Sequence, residues 1–177
     1  MTDSFLYTTP NAEISRPLIE QLTVEYRNRY GNYFGEDSSV EMNRYPPERF
    51  ADPDGAFVLL LRDGKPIAGG AFMRYDDTTA EFKRMWTDIG HRRQGLAQRV
   101  LAELESRAAA KGYGRVYLTT GFRQPEAAKL YLKSGYTALF DVAADPETIQ
   151  ILPFEKVLAP AGVHPGSRND HLSAPAA

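Results

Sequence analysis

Between Thr79 and Thr120 the chain reads strand, basic glycine turn, helix, strand, and few sheet topologies accept that succession. Leu96 to Ala110 carries Ala97, Val100, Leu101, Leu104 and Ala108 on one face, with Glu103, Glu105 and Arg107 largely off it, which predicts an amphipathic helix. Lys111-Gly112 closes it. Thr79 to Thr87 precedes it as a strand and Arg115 to Thr120 follows as another. A helix joining two such strands in one sheet makes a right-handed crossover, so a mixed sheet is expected.

The remaining elements extend that sheet on both sides. Ser4 to Thr8 reads as a short first strand, and Pro17 to Tyr30 as a helix stopped by Gly31. Residues 31–54 read as loop, with a short helix at Pro47 to Phe50. Phe57 to Arg62 and Pro66 to Tyr75 flank the hairpin signal Asp63-Gly64, and Gly69-Gly70 suggests a bulge or a close backbone approach. Pro125 to Ser134 reads as a helix, and Tyr136 to Phe140 and Thr148 to Leu158 as two strands joined by a turn at Asp141 to Glu147. The expected fold is α/β of the α+β type: a mixed, mostly antiparallel sheet of six to seven strands flanked by helices. Residues 1–158 form the expected single domain, and 159–177, rich in Pro, Gly, Ala and Ser, a disordered tail.

The glycine turn carries chemistry as well as topology. An anion site at a helix N-terminus needs converging backbone N–H groups and no side chain in the way. Gly95 and Ala97 supply small residues at the opening of the helix, and Arg92 and Arg93 add fixed positive charge. Two other phosphate motifs are missing from the sequence: the P-loop pattern, and a G-x-G-x-x-G opening a first βαβ unit.

Composition removes several function classes. The formal net charge of −2 spread over 177 residues gives no basic stripe for nucleic acid. The absence of cysteine removes a thiol nucleophile, disulfides and Cys-ligated zinc, and fits a reducing cytoplasm. His91, His164 and His171 are scattered, so no metal site is expected. Met1 to Pro10 lacks the pattern of a signal peptide, and Ala56 to Leu61, the longest apolar run, is too short to span a bilayer, so no membrane partner is expected.

Over roughly Phe57 to Leu158 the sequence resembles the GNAT superfamily of N-acetyltransferases. Its acyl-CoA signature, [RQ]-x-x-G-x-[GA], is matched by Arg92, Gly95 and Ala97, within the run Arg92-Arg93-Gln94-Gly95-Leu96-Ala97. The family's Asn, then Ala three on and Tyr seven on, reads here Gln124, Ala127 and Tyr131, followed by Gly135-Tyr136; Gln124 is a departure from Asn. The resemblance implies acetyl-CoA as cosubstrate, its pyrophosphate on the turn and its pantetheine against the backbone of Met85, Trp86 and Thr87. It also implies Glu81 as base and Tyr131 as acid. The alternatives are a surface glutamate paired with Lys83 and a core aromatic. A backbone N–H near Trp86 is the expected oxyanion donor.

The expected activity is acetyl transfer to a primary amine, by direct attack in a ternary complex because no Cys is available. A small-molecule acceptor is preferred. A non-catalytic acyl-CoA sensor and a protein or peptide N-acetyltransferase are the alternatives, and a homodimer stays open. Tyr26, Tyr30, Tyr33, Phe34 and Tyr45 are candidates to line the acceptor pocket, although such residues more often serve as core or loop anchors.

Overall fold

In the computed structural model, which describes residues 1–160, seven strands form one sheet in the order β1-β2-β3-β4-β5-β7-β6. They are β1 (Asp3–Tyr7), β2 (Ala56–Arg62), β3 (Lys65–Arg74), β4 (Thr79–Thr87), β5 (Arg115–Gly121), β6 (Thr137–Ala138) and β7 (Ile151–Val157). Every pairing is antiparallel except β4 with β5, the two strands joined by the crossover helix α3 (Leu96–Ala110). The mostly antiparallel mixed sheet expected from the sequence is therefore present. The tail expected from 159 onward lies outside the described residues from 161.

Helices cover both faces. The apolar stripe of α3, Val100, Leu101 and Leu104, packs with Val58, Leu60, Phe72 and Phe82. Across the sheet Leu18, on helix α1 (Arg16–Tyr30), packs with Phe57, Leu59, Ala71 and Trp86. Alternation along β2 sends Phe57 and Leu59 one way and Val58 and Leu60 the other, so a strand buried on both faces reads as continuously apolar. Burying one such Leu or Phe contributes roughly 1.5–3 kcal/mol.

Phe82 and Trp86 lie in opposite clusters although they are four apart in one strand. A β-bulge causes the inversion. Between the pairs Gly69↔Trp86 and Ala71↔Lys83, β3 advances two residues and β4 three. The Gly69-Gly70 pair does mark a bulge, but the extra residue is on the partner strand, where Arg84 adopts φ 62. Gly70 faces it because a Cβ there would meet Met85 Sδ at 2.6 Å and Leu104 Cδ1 at 2.9 Å.

Three local expectations need correction. The 31–54 stretch contains a second helix, α2 (Ser38–Met42), besides the 3-10 turn at Pro47–Phe50. Its N-cap is Asp37, whose carboxylate accepts from Ser39 N at 2.9 Å. The strand expected over Tyr136 to Phe140 shortens to Thr137–Ala138. The last strand starts at Ile151, because Asp145 caps a short helix, α5 (Pro146–Ile149), and Gln150 then turns at φ 70.

Candidate active site

The parallel pair sets the site. β4 and β5 pair through only three positions, Thr79↔Arg115, Ala80↔Val116 and Glu81↔Tyr117. Beyond them β4 stays paired to β3 as far as Thr87, and β5 to β7 as far as Gly121, so the two strands part. The β5-facing edge of β4 from Phe82 onward has no strand partner among the described residues. A cleft of about 530 Å³ opens at this parting. Lys83, Arg84 and Met85 form one wall, Thr119 to Gly121 the other, and Tyr26, Phe34 and Tyr45 from the α1–α2 region cover it.

Past Thr87, Asp88 caps a 3-10 turn at Ile89–His91 and the chain enters the basic turn. Arg93 (φ 65) and Gly95 (φ 72) are left-handed, and Gly95 is the N-cap of α3. A left-handed residue leading into a helix, as Gly95 leads into Leu96, points successive N–H groups to one side, as in an anion nest. The N–H groups of residues 94–98 have no acceptor among the described residues. Arg92 and Arg93 are exposed, and Arg92 Nη2 lies 3.7 Å from Glu25 Oε2, a carboxylate of the cleft wall. Gln94 is turned away, its Oε1 accepting from Arg62 Nη1 at 2.9 Å. Leu96 is buried and anchors the helix start, and Ala97 beside it is half-buried. The turn thus offers orphan donors, a glycine at positive φ and two unburied cations, which fit a pyrophosphate.

The other predicted residues divide. Met85 lines the cleft, while the Trp86 side chain is buried toward α1 and only its backbone is left for a ligand; Thr87 ends the strand half-buried. Tyr131 lines the cleft from helix α4 (Pro125–Lys133). Its ring packs on Tyr136 and Phe154, with centroids 5.7 and 5.5 Å away. Burial raises its pKa above the usual phenol range, and its hydroxyl has no hydrogen bond among the described residues. Glu81 stands at the closed apex of the parting, 3.3 Å from Lys83 Nζ, and is not in the cleft wall, whereas Lys83 is. Ala127 packs against the apolar core and is not in the wall either.

Gln124 lines the cleft but its carbonyl is committed. Oε1 accepts from Tyr30 Oη at 3.0 Å, Gly121 N at 3.1 Å and Thr120 Oγ1 at 3.2 Å. Tyr30 Oη also accepts from Arg123 N at 3.3 Å. This clasp ties α1 to β5 and α4, and Gly121 permits it, since a Cβ there would lie 1.8 Å from Tyr30 Oη. Of the five aromatic candidates, Tyr26, Tyr30, Phe34 and Tyr45 reach the cleft, and Tyr33 packs on Phe122 instead.

Sequence reasoning missed the cleft's carboxylates. Glu25, Glu36 and Glu41 all line it, paired with Arg29 (2.9 Å), Arg44 (2.5 Å) and Arg44 (2.8 Å). Glu25 left a signal, four residues before Arg29 on one helix, and Glu41 another, three residues before Arg44. Arg84, nearly buried, donates to the carbonyls of Glu41 (2.9 Å) and Met42 (3.5 Å) at the end of α2. Burial lowers its pKa, against the opposing pull of the Glu41 carboxylate. Among the described residues no group of three or more His, Cys, Asp or Glu is disposed to hold a metal ion, and no helix is long and apolar enough to cross a membrane.

The sequence profile described as "Acetyltransferase (GNAT) family" matches residues 19–136, and those residues hold the basic turn, α4 and all of the cleft lining but Ile151. The chain belongs to this family. It is an acyltransferase. A relative named IAA acetyltransferase, from Azospirillum brasilense, is 28% identical over 130 residues, 72% of this chain and 85% of its own length. The uncharacterized N-acetyltransferase YsnE of Bacillus subtilis is 33% identical over 93 residues, 49% of this chain and 62% of that protein. Among solved structures, a GNAT-family acetyltransferase from Staphylococcus aureus superposes with a TM-score of 0.71 at 16% identity, over 89% of this chain and 100% of its own. The PaiA N-acetyltransferase of Thermoplasma acidophilum, solved in complex with coenzyme A, has a TM-score of 0.67 at 16% identity, over 89% and 99%. At these identities the two structures speak to the fold.

Proposed function

We propose that this family member transfers an acetyl group from acetyl-CoA to a primary amine on a small molecule, by direct attack in a ternary complex. The observation that carries the reading is the conjunction of orphan N–H groups at residues 94–98 with a cleft opening along the unpaired edge of β4. When bound, acetyl-CoA supplies the activated thioester. The turn residues Arg92, Arg93, Gln94, Gly95, Leu96 and Ala97 would hold its pyrophosphate, mostly through backbone N–H groups, and the backbone of Met85, Trp86 and Thr87 its pantetheine. Gln124, at the N-cap of α4, acts by setting the clasp rather than through a free carbonyl, and Ala127 by the packing of the helix.

Two protons must be managed: one leaves the amine, and one is needed by the departing sulfur. Tyr131 Oη is suited to the second task. Tyr131 lines the cleft, and its hydroxyl has no competing protein acceptor among the described residues. Glu81 is suited to the first through a water, because it stands behind Lys83 instead of in the wall. Glu41, which does line the cleft, is the second reading for the base. A small acceptor is favoured by the cover that Tyr26, Phe34 and Tyr45 of the α1–α2 region place over the cleft.

Thiol release from acetyl-CoA against a panel of small amines and peptide N-termini tests the reading. Turnover with a free amine is expected, and turnover with peptides alone would overturn the acceptor class. Glu81→Gln is expected to cost about 10²-fold in turnover; a loss that follows Glu41→Gln instead would move the base there.

A further inference from the structure

We propose that Gln21, on α1, is a positioning residue for the phosphate turn; the inference rests on the acetyl-CoA reading above. Its carboxamide reaches three groups on the segment that links β4 to the turn. Oε1 accepts from Trp86 Nε1 at 3.0 Å and from the backbone N of Ile89 at 3.2 Å. Nε2 donates to Asp88 Oδ1 at 2.7 Å. The other Asp88 oxygen holds the next two residues, accepting from Gly90 N at 3.0 Å and lying 2.7 Å from His91 Nδ1. Burial pushes the Asp88 carboxyl up, but hydrogen bonds from Gln21, His91 and Gly90 outweigh it and hold the group below its ordinary range. One side chain therefore fixes the strand end and, through Asp88, every residue from Ile89 to His91.

Besides these side-chain bonds the segment has two backbone ties, Asp88 N to Ile67 O at 2.8 Å and His91 N to Asp88 O at 2.9 Å. It carries a single 3-10 turn, with Ile89 exposed, and it feeds directly into Arg93 and Gly95, both at positive φ. An anion nest works only if its N–H groups point to one side before the ligand arrives, so freedom upstream is charged against binding. The three bonds also tie the turn to α1, whose Leu22, Glu25 and Tyr26 line the cleft. Gln21 itself is not among the cleft residues, so its effect is exerted on the turn and not on the reacting groups.

Calorimetric titration with CoA and with pantetheine, which lacks the pyrophosphate, tests the role on the full chain. Gln21→Met keeps the volume and removes all three bonds. It is expected to weaken CoA binding about tenfold while leaving pantetheine within about threefold, and in turnover to raise KM for acetyl-CoA with kcat nearly unchanged. Gln21→Asn, whose amide is one methylene too short to span all three partners, carries the same expectation if the Met variant does not fold. Equal affinity for CoA in variant and wild type, or an equal loss for both ligands, overturns the positioning role. If the wild-type protein binds CoA no more tightly than pantetheine, the pyrophosphate reading fails first, and the role of Gln21 falls with it.

Discussion

Replacing Gly121 by alanine should open the clasp between α1, β5 and α4. The added Cβ would stand 1.8 Å from Tyr30 Oη and 2.4 Å from Cζ, so the ring must move. Tyr30 is 3% exposed and wedged among Tyr26, Phe34 and Phe122, with centroids 4.9, 5.3 and 5.6 Å away, so it can give way only toward the cleft it lines. Its hydrogen bonds to Gln124 Oε1 and from Arg123 N would go, at about 0.5–1.5 kcal/mol each. Overpacking adds about 1–3 kcal/mol. The sum is about 2–6 kcal/mol, against which the entropy gained by removing a glycine is about 0.4–1 kcal/mol. In urea, with m of roughly 2 kcal/mol/M, the midpoint should fall by about 0.5–3 M at unchanged slope. A Tyr30→Phe background has already lost both hydrogen bonds, so there the alanine should cost about 1 kcal/mol less or better. A destabilisation under about 0.5 kcal/mol, or full additivity in the double mutant, would refute the clasp.

Further predictions concern the site and the rim. Tyr131→Phe keeps the packing on Tyr136 and Phe154 and removes only the hydroxyl; kcat should fall about 10²-fold at unchanged melting temperature, and unchanged turnover would remove Tyr131 from the mechanism. Gly95→Val places a β-branched residue at φ 72, so affinity for CoA should drop at least tenfold in calorimetry. The Asp3 carboxyl, held well below the usual range by hydrogen bonds from Arg62 and Arg99, ties β1 to β2 and α3. Because its folded pKa is depressed, the stability it lends is complete above its unfolded pKa of about 3.9 and drains away as pH falls below that. The gap in melting temperature between wild type and Asp3→Asn should therefore be widest near neutral pH and shrink steadily below pH ~4; a gap that does not narrow would contradict this sign.

The parts legible in the sequence were those with a period or a punctuation mark. The α3 stripe, the Asp63-Gly64 hairpin and the Gly95 turn each carry their own local signal, and together they dictate the crossover that parts β4 from β5. Helix α2 left no trace because five residues hold barely one turn, too few for a period to show, and only its Asp37 cap distinguishes it. The bulge was half visible: glycine marked where backbone comes close, but the inserted residue belongs to the strand opposite, which one strand read alone does not reveal. The acidic lining of the cleft was hidden for a related reason. Glu36 pairs with Arg44 across α2 and Glu41 with Arg84 from β4, contacts that the fold of the chain sets, and only the Glu41–Arg44 pair is local. The Gln124 side chain lines the cleft, and the saturation of its carbonyl by Tyr30, Thr120 and Gly121 depends on Tyr30 of α1, which the sequence around Gln124 does not reveal.

The central claim is that the orphan N–H groups at the head of α3 receive the pyrophosphate of the donor. Titrating CoA into the ¹⁵N-labelled protein and following the backbone amides tests it residue by residue. The largest shifts should fall on residues 93–98, with pantetheine alone leaving those amides nearly still. Saturable CoA binding that leaves residues 93–98 unmoved would contradict the account.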